Sequence, residues 1–212
     1  GLSGSVSYTY NRAENVNNGT SSRAISNWQF NENKDINNPR IGTADFEIRH
    51  RLLGTLNYRF SYLERFATTV GLVFESRAGE PFSWIYFGNA NGDTQPFNDL
   101  VYVPENETDI VLESDNWALM DAFITNNESL DEARGTVINR NTARAPWQNL
   151  LDLRLAQSIG TFQGQDVQIT LDVENVMNLL NDDWGRIRRT SFNNITAWNF
   201  EGYVTPDEVG TT

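Results

Sequence analysis

Between Phe46 and Tyr62 the side chains change character at every step. Even positions read Phe46, Ile48, His50, Leu52, Gly54, Leu56, Tyr58, Phe60, Tyr62; odd positions read Glu47, Arg49, Arg51, Leu53, Thr55, Asn57, Arg59, Ser61. Leu53 is the exception on the polar side and His50 on the apolar side. A repeat of two is the periodicity of an extended strand, whose side chains point alternately to opposite faces. Ordinary strands run about 5–6 residues, so a strand over 46–62 is unusually long. A second run over 66–78 places Phe66, Val70, Leu72 and Phe74 on one face, with Thr69, Gly71, Glu75 and Arg77 on the other. The same alternation predicts strands over 149–159 (Leu151, Leu153, Leu155, Ile159) and 166–175 (Val167, Ile169, Leu171, Val173). It also predicts one over 2–11 (Leu2, Val6, Tyr8, Tyr10), and a less regular run lies over 191–204.

The connections fall into two classes. Turns near 63–65 and 160–164 are short enough for hairpins; segments over 12–45 and 79–146 are long, and another long one begins near Asn175. Within the second, Trp117–Ile124 has helical spacing, with Asn126 and Asn127 at its end. Short turns alternating with long loops, on long two-faced strands, are the plan of a membrane barrel with short periplasmic turns and long external loops. The expected fold class is therefore all-β: long antiparallel strands forming an arc of a transmembrane outer-membrane barrel. The expected lipid-facing residues are Leu52, Leu56, Tyr58, Phe60, Val70, Leu72, Phe74, Leu153, Leu155, Ile169 and Leu171. The expected lumen-facing ones are Arg49, Arg51, Arg59, Glu75, Arg77, Asp152, Arg154, Asp172 and Glu174; so many charges fit a hydrated interior and not a dry core. Tyr58, Phe60 and Tyr62 before the 63–65 turn, and Phe66 after it, are placed as interfacial aromatics are.

Composition narrows the chemistry. The 212 residues include no cysteine and one histidine, which removes disulfides, thiolate metal sites and most histidine-based catalysis. A net charge of −12 argues against a nucleic-acid partner. No stretch of 18 apolar residues exists, so no spanning helix is expected. The first residues have no charged-then-apolar pattern of a signal peptide, so the chain is expected to be an internal segment of a longer protein.

Gly79-Glu80-Pro81-Phe82-Ser83-Trp84-Ile85-Tyr86, then Asn89-Ala90-Asn91-Gly92-Asp93, then Asn98-Asp99-Leu100-Val101-Tyr102-Val103-Pro104 resembles a stretch of TonB-dependent outer-membrane receptors. The nearest subgroup is the Oar-like type with a carboxypeptidase-regulatory-like domain. Arg144-Ala145-Pro146-Trp147-Gln148-Asn149-Leu150-Leu151-Asp152-Leu153-Arg154 and Asp172-Val173-Glu174-Asn175-Val176-Met177-Asn178-Leu179-Leu180-Asn181 are similar to later blocks of those proteins. The resemblance implies a 22-stranded barrel in the cell outer membrane that imports an unidentified substrate. It implies as partners the membrane lipid, the rest of the barrel, a plug, and a TonB-type energy-coupling complex. The plug and a TonB box lie outside this chain, and Val209-Gly210-Thr211-Thr212 does not match the aromatic-terminated final strand of such barrels.

Candidate chemistry is sparse. Asn89, Asn91, Asp93 and Asp99 offer oxygens at the spacing of a calcium-like loop; the alternative is an Asx-rich turn that bonds its own backbone. No other cofactor and no catalytic set is expected: there is no phosphate loop and no nucleophile elbow. Asp182 and Asp183 are adjacent and would point apart on a strand. His50 is expected to be a packed, neutral histidine. The acidic stretches 105–109 and 126–132 read as solvated, and the sequons at Asn18, Asn106, Asn127 and Asn194 as chance matches in Asn-rich loops. Two other functions fit the pattern: an outer-membrane adhesin or structural barrel without import, and a soluble carbohydrate-binding β-domain using Trp84, Trp147 or Trp184.

Overall fold

A computed structural model describes residues 1–63 and 65–204; Glu64 of the first turn and the Val209–Thr212 terminus lie outside the described residues. Strand accounts for 40% of the chain and helix for 15%, and the strands pair mostly in antiparallel sheets. The described residues form two compact units, residues 1–12, 48–79 and 146–189 in one, and residues 13–47, 80–145 and 190–204 in the other.

The first unit is one five-stranded antiparallel sheet. Its strands, in spatial as well as chain order, are Leu2–Tyr10, His50–Tyr62, Phe66–Arg77, Gln148–Gly160 and Asp166–Val173. The meander is continuous in register: Leu56 faces Gly4 and Leu72, Leu72 faces Leu153, and Leu155 faces Leu171. Because opposed residues in an antiparallel pair share a face, one register fixes the facing of the whole sheet. The hairpin turns lie at one end of the strands. At the other end, Tyr10 pairs with His50 and Arg77 with Gln148, so both long connections leave from there.

Some boundaries differ from the sequence-based expectation. The second strand begins at His50, not at residue 46, because its partner strand stops at Tyr10. Upstream, Glu47 donates its N–H to the Ala44 carbonyl in a turn, and its carboxylate, fully buried, accepts from Ala13 N at 2.9 Å and pairs with Arg144. His50 accordingly sits at the strand end. The last strand stops at Val173, since Asn175 adopts a left-handed conformation (φ 52°) and leads into the helix Val176–Leu180, with Asn175 N donating to Asp152 Oδ1 at 2.8 Å.

The largest departure is in the segments expected as loops. Residues 80–145 do not form an open loop. With residues 13–47 and 190–204 they build the second unit, whose core is Phe82, Trp84, Leu100, Val101, Val103, Ile124, Leu130, Ile138 and Ala143. Its centre is the strand Pro81–Phe87, which pairs antiparallel with Ala143–Arg144 and parallel with Asn194–Asn199. The run expected over 191–204 is thus a strand of this second unit, not of the long sheet. The predicted helix is Trp117–Thr125; Asn116 Oδ1 caps it by accepting from Leu119 N, and it sends Ile124 into the core.

Candidate membrane face and aromatic cleft

A sheet normally buries one face against a second layer. Among the described residues, the buried hydrophobic residues of the first unit are Ala67, Ala78 and Ala156, and no large apolar side chain of its sheet is buried. Yet the register gathers Leu52, Leu56, Tyr58, Phe60, Val70, Leu72, Phe74, Leu153, Leu155, Ile169 and Leu171 on one face. Val6, Leu151, Ile159 and Val167 join them. Exposure reaches 45% at Leu56, 61% at Ile169 and 77% at Val6. Full burial of one such side chain is worth about 1.5–3 kcal/mol, so this face represents a large unrealised stabilisation in water.

Aromatic rings close both ends of the apolar face. At the hairpin end Tyr58, Phe60, Tyr62 and Phe66 stack in series with centroids 5.8, 5.9 and 6.0 Å apart. At the opposite end the ring of His50 lies 6.1 Å from Trp147 and 5.3 Å from Tyr10, and its Nδ1 is 2.7 Å from the Tyr8 hydroxyl. The few polar residues on this face satisfy one another. Tyr62 Oη and Thr68 Oγ1 both donate to Gln157 Oε1, at 2.9 and 2.6 Å, while Gln157 Nε2 donates to the carbonyls of Ser158 and Ala67. Ser76 Oγ donates to Asn149 Oδ1 at 2.6 Å. These groups ask little of water, as an apolar surrounding requires.

The other face is mainly polar, with Leu53, Val73 and Leu150 its large apolar residues. Arg51, Arg59, Glu75, Arg77, Asp152, Arg154 and Asp172 all fall on it by register, whereas Arg49 and Glu174 lie just outside the strands. Arg51 meets Glu75 at 2.8 Å, Arg77 donates to Gln148 at 2.9 Å, and Arg154 approaches Asp172 at 3.6 Å. No family model, no curated protein and no solved structure matches the chain.

The second unit carries an open cleft of about 1080 Å³, bordered by Tyr86, Asp99, Tyr102, Asp109, Trp198 and Tyr203. Tyr86 anchors its aromatic wall edge-on to Trp198 and Phe200. Burial pushes the Tyr86 hydroxyl up, and it accepts a hydrogen bond from Tyr102 N at 3.2 Å. Trp84, a candidate for sugar stacking, is not available: it is 6% exposed, edge-on to Phe123, with its indole N–H donated to Ser129 Oγ at 3.0 Å. Trp147 and Trp184 remain exposed. Asp182 and Asp183 lie in a turn, not on a strand, and Asp183 pairs with Arg186 at 3.1 Å.

The proposed calcium-like residues are distributed differently from their spacing. Asn91 Oδ1 accepts from Asp93 N and Asp93 Oδ1 from Gln95 N, each an Asx turn. Asp99 Oδ2 accepts from Ala90 N at 2.6 Å and Asn91 N at 3.3 Å. Asp93 Oδ2 receives Asn98 Nδ2 at 2.7 Å. Asn98, which carries no spacing signal, belongs to this group. Asp99 is 1% exposed, and burial, aided by the nearby Asp93 charge, pushes its carboxyl up to about 6. Among the described residues no three His, Cys, Asp or Glu side chains gather as a metal cluster.

Proposed function

We propose that the long sheet is part of the wall of an outer-membrane β-barrel, and that the chain is a segment of a TonB-dependent receptor of the Oar-like subgroup that imports a substrate across that membrane. The observation that carries the membrane reading is the uncovered apolar face bounded by aromatics at both ends. A strand of 13 residues is about 40 Å long at about 3.3 Å per residue. At the tilt of about 40° usual in barrels it crosses a hydrocarbon layer of about 30 Å. The edge strands add support: Leu2–Tyr10 is exposed along all nine residues, and a long apolar edge is an aggregation hazard in water but a joining surface in a barrel. The receptor reading rests on the sequence blocks over 79–104, 144–154 and 172–181. In this reading the sheet is a passive wall, the charged face lines the lumen, and the second unit is external and carries the recognition surface. Energy comes from a coupling complex acting on a plug. A barrel that serves adhesion without import shares the wall, the charged lumen and the external unit, but not the energy coupling.

The absence of native cysteine makes a direct test available. Single cysteines at Leu56, Leu72 and Leu155, and at Thr55, Val73 and Arg154, are placed in the protein in a Gram-negative outer membrane. Labelling by a charged maleimide is expected to be blocked at the first three and to proceed at the second three. Equal labelling of both sets, or recovery of the protein as a detergent-free monomer with a cooperative melt, removes the membrane reading. Uptake that persists without the energy-coupling complex would remove the receptor reading while leaving the barrel.

A further inference from the structure

We propose that Asp93, Asn98 and Asp99 form a binding site for a hard divalent cation, calcium in preference to magnesium. Asn98 and Asp99 are each 1% exposed, and each has an Oδ1 atom with no hydrogen-bond partner among the described residues. Both residues belong to one hydrogen-bonded group. Asn98 Nδ2 donates to Asp93 Oδ2, which orients the amide and assigns its free atom as oxygen. Asn91 links the two carboxylates, giving its backbone N–H to Asp99 Oδ2 and its side-chain amide to Asp93 Oδ2 at 3.3 Å. The half-buried Asp93 carboxylate and the buried Asp99 carboxylate are therefore linked through Asn91, next to residues with two unused oxygens, and among the described residues no Lys or Arg is hydrogen-bonded or ion-paired to either carboxylate. Buried acceptors are almost always paired, so a set of orphans beside like charges points to a missing cation.

The donor set selects the metal class. All the ligands are oxygen, and neither cysteine nor histidine is at hand, which disfavours zinc and copper. Calcium accepts carboxylate and amide oxygens in irregular geometry with six to eight ligands, whereas magnesium demands a near-octahedral shell. Asp99 borders the open cleft, so water completes the coordination and the ion has a route of entry. With only two charges, affinity is expected in the range of extracellular calcium modules, a Kd of about 10⁻⁴–10⁻³ M. This site lies wholly within the second unit and stands whether or not the sheet is embedded in lipid.

The test is calorimetric titration of calcium chloride and of magnesium chloride into the chelator-treated protein, with Asp99→Asn and the exposed-charge control Glu107→Gln. One calcium per chain is expected, at least tenfold weaker in Asp99→Asn and unchanged in Glu107→Gln. The amides of Ala90 and Asn91, which bond Asp99, are expected to exchange at least fivefold more slowly with calcium than with sodium at equal ionic strength. That readout on the unaltered protein decides the matter if Asp99→Asn does not fold. No binding at millimolar calcium, unchanged affinity in Asp99→Asn, or unchanged exchange at Ala90 and Asn91 would overturn the site. Equal affinity for magnesium would overturn the assignment to calcium.

Discussion

Glu32 and Arg140 show how single residues set the behaviour of the second unit. Glu32 is 5% exposed and accepts a hydrogen bond from Asn194 Nδ2 at 3.0 Å. Burial nevertheless dominates and raises its carboxyl from 4.5 to about 7, with Asp45 raising it further and Arg140 opposing. Arg140 is itself desolvated, and its guanidinium is held by Asn31 Oδ1 at 2.6 Å and the Asn15 carbonyl at 2.7 Å. A carboxyl raised by folding favours the folded state when protonated. Its contribution is therefore complete below pH 4.5 and is lost as the pH rises through about 7. Thermal unfolding followed at pH 5 and pH 8 is expected to show the second unit less stable at the higher pH, by on the order of 3 kcal/mol from this group. Glu32→Gln, which keeps the acceptor for Asn194, is expected to remove the larger share of that difference and to leave the smaller one from Asp99, whose carboxyl is raised to about 6. A pH dependence undiminished by the substitution would assign it to another group. None of this was legible from sequence, because Glu32 sits in a polar segment (Asn31 to Lys34) that reads as solvated.

At the scale of elements, the long strands and the Pro81–Phe87 strand are opposites. The long strands alternate between an apolar and a polar face, and that contrast is written residue by residue. Pro81–Phe87 is buried on both sides over Pro81–Ile85, so Phe82, Trp84 and Ile85 carry no period-two signal. Its parallel partner Asn194–Asn199 lies more than a hundred residues away, beyond the reach of any local pattern. Gly88 fastens the end of this pair. It sits at φ 132°, and an added Cβ would lie 2.8 Å from the Phe200 carbonyl oxygen, while Phe200 N donates to the Phe87 carbonyl at 2.9 Å. Gly88→Ala is expected to part the two strands and to destabilise the second unit by at least about 1 kcal/mol. Faster hydrogen exchange at the Phe200 amide is the measurement; unchanged exchange would show that the strand adjusts without loss.

For the molecule as a whole, the medium around the long sheet decides the energetics. In lipid, a charge at Leu56 would enter hydrocarbon near mid-strand and cost about 2–4 kcal/mol. In water the same position is already 45% exposed, and surface substitutions away from buried features usually change stability by no more than about 0.5 kcal/mol. Leu56→Arg is therefore expected to lower folding stability in bilayers by about 2–4 kcal/mol in a urea titration, with Thr55→Arg on the other face near neutral. Two equal, small effects would argue for a water-exposed sheet. The sequence by itself determined the class of the long sheet, the position of its short turns and the sorting of Leu56, Leu72, Leu155 and Arg51, Glu75, Arg154 to opposite faces. Period-two alternation and hairpin neighbours are local properties, readable a few residues at a time. Only the tertiary structure decided that residues 80–145 fold into a second unit, that Trp84 is buried, that Glu32 is desolvated and that Asn98 joins Asp93 and Asp99. Those outcomes depend on which distant segments exclude water from one another, and no local spacing records that.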